Sequence, residues 1–178
     1  MLTALVTFAL VSTITPGPNN LMLMASGANF GFGRTVPHMS GILVGVLVLF
    51  LLVGIGLSQV FDAWPASFEV LKVISVMYLV FLAWKIATAA GPGEGPADGG
   101  KPLTFIQAAL FQWVNPKSLI AALSSAGAYI AIAELAWQRA LIIVGVFFVA
   151  GSVSCSSWMF AGSALSRYMS TGKSARYI

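Results

Sequence analysis

Pro16-Gly17-Pro18-Asn19-Asn20 interrupts an apolar run that starts at Met1 and resumes at Leu21, and Asn115-Pro116-Lys117 interrupts a second run in the same way. Proline lacks a backbone N–H and pushes the residue before it away from helical angles, so a helix through either cluster must stop and restart. Gly17, between two prolines, permits a sharp change of direction. In lipid, the backbone groups freed this way need partners from protein, water or a ligand. Paired interruptions of this kind are a sequence pointer to a transporter's substrate site.

The rest of the chain supports a membrane setting. Of 178 residues, 58% are hydrophobic and only 8% charged, against about 25% charged in a soluble domain. Most side chains must therefore face lipid or one another, and the expected fold is an all-α integral membrane protein. Met1-Leu2-Thr3-Ala4 has no basic flank of the kind that opens a cleaved signal peptide. The net charge of +4 comes from basic residues scattered at segment ends, which is an orientation signal rather than a nucleic-acid footprint. No nucleic-acid partner is expected; the lipid bilayer is. Cys155 and His38 are the sole residues of their types, so neither an intramolecular disulfide nor a thiolate–imidazole metal cluster is expected, and no cofactor is implied.

A membrane span needs about 20 apolar residues. Residues 38–57 and 140–165 meet that test, and 68–88 meets it if Lys72 and Lys85 extend toward opposite interfaces. Residues 1–15 rise about 22 Å and 21–30 about 15 Å, so neither crosses alone. Residues 103–114 and 119–133 repeat that arrangement. Each pair can cross as one broken helix, or the first piece can lie flat in the interface while the second enters the membrane. The expectation is five transmembrane helices with helices 1 and 4 broken.

The Gly/Pro-rich stretch 91–102 divides the chain into a first three-helix repeat, 1–90, and a second repeat, 103–178. Assigning alternate loops puts Arg34, Lys85, Lys101, Arg167, Lys173 and Arg176 on one side, and Arg139 with Lys72 on the other. That bias predicts an external N-terminus, a cytoplasmic linker and a cytoplasmic C-terminal tail. Trp64 and Trp137 then sit at the outer interface and Trp84 at the inner one. An odd number of helices per half makes helices 1 and 4 cross in opposite directions, as in an inverted repeat.

The chemistry of the breaks points to a zwitterion. Asn19 and Asn20 offer donors and acceptors, and Asn is a good helix cap, so a new helix is expected at Leu21. Its N-terminus, the one after Asn115-Pro116-Lys117, and Lys117 itself supply positive charge for a carboxylate. Carbonyls freed by Pro16, Pro18 and Pro116 can accept from an ammonium group. The bland alternatives are prolines that merely kink packed helices and a Lys117 that reaches the cytoplasmic interface. Asp62, Glu69, Glu94, Asp98 and Glu134 all fall in loops or at helix ends, which disfavours dibasic substrates and leaves proton coupling without an obvious carboxylate. His38 is read as interfacial. The Gly27/Gly31 and Gly41/Gly45 spacings suit close helix contact, and the serines from Ser152 to Ser157 suit bonding to their own or a neighbouring helix.

Thr15-Pro-Gly-Pro-Asn-Asn20, Ser26-Gly-Ala-Asn-Phe-Gly31, Arg34-Thr-Val-Pro-His38 and Phe111-Gln-Trp-Val-Asn-Pro-Lys117 resemble the lysine-exporter (LysE/RhtB) family of bacterial amino-acid exporters. The stretches 27–38 and 101–117 look closest to its cysteine/O-acetylserine exporter branch. The resemblance implies a six-helix, multi-pass inner-membrane protein that exports amino acids or their derivatives on the proton gradient, and no enzymatic chemistry. About a dozen polar and basic residues follow the fifth helix, so the second repeat is expected to lack its last member. Pro16, Gly17, Pro18, Asn19, Asn20, Asn115, Pro116 and Lys117 form the expected binding site for a small neutral amino acid. The competing functions are a truncated, non-transporting fragment or assembly subunit, and an ion export channel; a homo-oligomer is compatible with each.

Overall fold

Thr15 precedes Pro16 and has the extended angles that position demands (φ −61°, ψ 145°), which ends the first helix, α1 (Leu2–Ile14). The computed structural model describes residues 1–57, 63–87 and 101–171. Every element among them is helical. Pro18 supplies a preset φ at the first position of α2 (Pro18–Phe30), with extended Gly17 as its N-cap. The second helix thus starts before Asn19 and Asn20, not after them at Leu21.

A single residue, Gly31, joins α2 to α3 (Phe32–Leu52). Its φ of +79° is left-handed backbone that favours glycine. The expected loop carrying Arg34 does not exist: α3 begins six residues ahead of His38 and accommodates Pro37 in its second turn. Beyond Leu52 the helix widens into a π-turn, Val53–Leu57. Then follow α4 (Pro65–Ala87), α5 (Phe105–Phe111), α6 (Pro116–Ala128), a short 3₁₀ turn (Ile130–Ile132) and α7 (Ala136–Thr171). A reciprocal capping box between Thr104 and Gln107 starts α5.

Among the described residues two helices, Phe32–Gly56 and Ala136–Tyr168, are long and apolar enough to cross a membrane, with mean hydropathies of 2.6 and 2.1. They form the frame. Helix α7 packs along α1, α2 and α3, and α3 carries α5. The close approaches rest on glycine. A Cβ at Gly27 would collide with the Met159 carbonyl, and one at Gly162 with the Met24 carbonyl. Gly41 and Gly45 likewise meet the Phe105 and Ala109 carbonyls. Leu5, Leu49, Phe50, Leu119 and Phe147 close the main apolar core between α1, α3, α6 and α7. The Phe50 and Phe147 rings lie 4.4 Å apart there.

Helix α4 lies at the edge of this core, against which its Leu71 packs. Val73, Met77, Val80 and Trp84 are exposed along it, while Tyr78 touches Phe111 with ring centroids 5.0 Å apart. A helix with so many outward apolar side chains is stable where its surroundings are also apolar. Residues 91–100 of the expected linker lie outside the described residues, as do Asp62, Glu94, Asp98, Lys173 and Arg176.

Candidate functional site

The end of α1 is the place to begin, because a broken helix leaves carbonyls without intrahelical partners. Here side chains supply them. The Asn20 amide donates to Thr13 O (2.7 Å) and Thr15 O (2.9 Å), folding back over the break. Ser154 Oγ donates to Thr13 O at 2.7 Å, and Trp158 Nε1 to Ile14 O at 3.1 Å. Lys117 Nζ reaches Thr15 O at 2.5 Å, Thr15 Oγ1 at 3.0 Å and Pro16 O at 3.4 Å. At this first break the carbonyls at the end of α1 are therefore held by groups of α2, α6 and α7 rather than left to a substrate ammonium.

The second break is built differently. After α5 the chain makes one tight turn, with Gln112, Trp113 and Val114 bonded to carbonyls three residues back. Asn115 is buried and caps α6, its Oδ1 accepting from the Lys117 N–H at 3.1 Å. Pro116 occupies the first helical position, so Lys117 lies inside the first turn rather than ahead of it.

The two breaks then meet. Asn19 Nδ2 donates to Gln112 Oε1 (2.8 Å) and Gln112 Nε2 donates back to Asn19 Oδ1 (3.1 Å). Gln112 is wholly buried, and also donates to Ala108 O (2.9 Å) and accepts from Ser118 Oγ (2.9 Å). Each restarted helix thus sends its second residue, Asn19 or Lys117, to the other break.

A cavity of about 70 Å³ opens beside these links. At roughly 10–15 Å³ per water, it holds on the order of five small groups. Thr13, Asn19, Asn20, Asn115, Lys117 and Ser118 supply polar lining, and Ile42, Val46, Phe50 and Phe147 apolar lining. Of the residues singled out from sequence, Gly17, Asn19, Asn20, Asn115 and Lys117 line the cavity. Pro16, Pro18 and Pro116 do not; they shape the backbone behind it. Gln112, Ser118 and Ser154 belong to the same network and were missed. Gln112 and Ser118 flank the Asn115-Pro116-Lys117 cluster, so position was a usable signal for both. Ser154 lay in a serine run whose helical face could not be chosen from sequence.

His38 departs from its expected interfacial place. It is 1% exposed inside α3, and neither ring nitrogen has a hydrogen-bond partner among the described residues. The early start of α3 carries it inward.

Comparison with known families gives a match to the model described as LysE type translocator over residues 10–178. The chain belongs to the LysE-type translocator family. It is a translocator and not an enzyme. Similar proteins include the cysteine/O-acetylserine efflux proteins of Escherichia coli (strain K12), Shigella flexneri serotype 5b (strain 8401) and Shigella sonnei (strain Ss046). Each is 29% identical over 169 residues, covering 94% of this chain and 85% of the relative. No solved structure matches the chain.

Proposed function

We propose that this translocator exports small neutral amino acids or their derivatives, such as cysteine or O-acetylserine, across the bacterial inner membrane on the proton gradient. The observation that carries this is the cavity at the meeting of the two breaks, lined both by Asn19, Asn20, Asn115 and Lys117 and by Ile42, Val46, Phe50 and Phe147. A zwitterionic head with a short side chain matches that mixed lining in polarity. Asn19, Asn20, Asn115 and Lys117 orient the head, and the N-terminus of α2, which has no side-chain cap, faces its carboxylate.

Alternating access follows from an inverted repeat of residues 1–90 and 103–178 about the linker 91–102, with five membrane-crossing helices in this chain. Two features support it. Helices α2 and α6 have the same length of 13 residues and the same proline start. Helices α1 and α6 lie antiparallel: Lys117 meets Thr15 at one end, and Tyr129 OH donates to Ala4 O (3.1 Å) at the other. The charge bias sets the N-terminus outside and the tail in the cytoplasm.

The test is efflux of radiolabelled cysteine and O-acetylserine from cells carrying the chain, beside an Asn19→Ala plus Asn115→Ala variant expressed to equal levels. Export above that of empty cells, reduced at least tenfold in the variant, is expected. Equal export by both chains would remove the binding site from this proposal, and no export by either would remove the function.

A further inference from the structure

The lysine between the two breaks is bound as a ligand would be. Three oxygens at the C-terminal end of α1 surround its ammonium: Thr15 O at 2.5 Å, Thr15 Oγ1 at 3.0 Å and Pro16 O at 3.4 Å. The negative end of the α1 dipole points to the same place. An independent feature concerns Gly17. Its φ of −173° is extended backbone that any residue adopts, so conformation does not explain the glycine. Space does. A Cβ there would lie 2.7 Å from Lys117 Cδ and 3.1 Å from Nζ. Gly17 leaves a channel through which the lysine stem reaches its cradle.

The cradle satisfies the hydrogen bonds of an ammonium but not its charge. All three partners are uncharged oxygens, and the salt bridge found among the described residues joins Lys72 to Glu69 elsewhere. Lys117 also lines the cavity beside Asn19, Asn20 and Ser118. The other carbonyls of the break are covered by Asn20, Ser154 and Trp158, which have no charge to trade. An incoming zwitterion can make one exchange here: its ammonium for that of Lys117 in the cradle, and its carboxylate for the missing counter-charge.

We propose that the Thr15–Pro16 oxygens are the ammonium subsite of the transport pathway, and that Lys117 is its resident occupant, displaced by substrate. This rests on the proposed amino-acid transport. Displacement cuts a tie between the two halves and re-forms it through the substrate: cradle to ammonium, carboxylate to Lys117. A molecule with both groups completes the exchange, whereas a simple amine leaves Lys117 without a partner and a simple acid leaves it in place.

The subsite can be tested without transport. The full chain is purified in detergent micelles as wild type and as Lys117→Met, and its melting is followed by tryptophan fluorescence with ethylammonium chloride or, as a salt-matched control, tetramethylammonium chloride. A ligand that binds only the folded state raises its Tm. Ethylammonium at saturation is expected to raise the Tm of Lys117→Met by about 2–4 °C and leave wild type unmoved, while tetramethylammonium, which has no N–H, moves neither. Lys117→Ala, which also empties the cradle, is expected to respond as Lys117→Met does, and it carries the comparison alone if Lys117→Met does not fold. No ethylammonium response in the variants, or an equal one in wild type, overturns the subsite. Rescue without amino-acid export leaves the subsite standing and sinks the transport reading; export without rescue does the opposite.

Discussion

Gln112→Leu should be among the most damaging single changes at the meeting of the breaks. Leucine keeps most of the volume, so the loss is electrostatic rather than a cavity. Four hydrogen bonds disappear: two exchanged with the Asn19 amide, one to Ala108 O and one from Ser118 Oγ. Ala108 and Ser118 are buried and Asn19 partly so, leaving three stranded polar groups. A stranded buried group costs about 1–3 kcal/mol. With Asn19 discounted because water can reach it, the sum is about 2–6 kcal/mol. Asn19→Leu leaves the Gln112 amide its bonds to Ala108 O and from Ser118 Oγ and should cost less, about 0.5–1.5 kcal/mol. The double variant removes both amides together, so its loss should fall short of the summed singles by about 1–2 kcal/mol, as suits two polar bonds between membrane helices. Equilibrium unfolding in mixed micelles with rising SDS measures all four species. Additivity within about 0.3 kcal/mol would show that the amide pair does not couple the two breaks, and would refute the geometry from which the cost is built.

Other substitutions isolate other parts. Gly162→Ala places a methyl against the Met24 backbone carbonyl; backbone cannot rotate away, so a loss of about 1–3 kcal/mol is expected in the same assay. Gly145→Ala, where a Cβ meets nothing within 4 Å, should instead be neutral or gain up to about 1 kcal/mol of helix propensity. Asn115→Ala removes the α6 cap and should cost about 1 kcal/mol, while Asn115→Asp keeps the acceptor and most of the stability. Asn20→Leu uncovers the Thr13 and Thr15 carbonyls on one side; a fall of about 1–3 kcal/mol is expected in thermal melts.

Both breaks were legible from sequence because proline acts locally: Thr15 and Asn115 are extended wherever the rest of the chain goes. Helices α4 and α7 were legible for the same reason, their apolar runs being continuous. The start of α3 was not. Pro37 reads as a boundary, yet in the second turn it forfeits a single backbone bond, and Gly31 had already made the turn. Asn20 suits a cap by residue type, but the preset φ of Pro18 starts α2 earlier and frees the Asn20 side chain to fold back. The Asn19–Gln112 pair spans 93 residues, and nothing local in either residue names the other. The Lys117 bonds to Thr15 have the same character, at a separation of 102 residues. Composition could say that a cation and carbonyls were present, but only the fold could say that they were bonded to each other.

The covering of the α1 carbonyls also has a consequence for how the chain is made. Ser154 and Trp158, which bond to Thr13 and Ile14, are separated from them by 141 and 144 residues. Synthesis runs from the N-terminus, so α1 and α2 leave the ribosome long before those partners exist. Until α7 arrives, Asn20 is the local donor present to shield that end, and the remaining carbonyls must stay hydrated. The end of α1 therefore gains its full set of partners only once α7 has been made. In such a chain the residues translated first are among the last to settle.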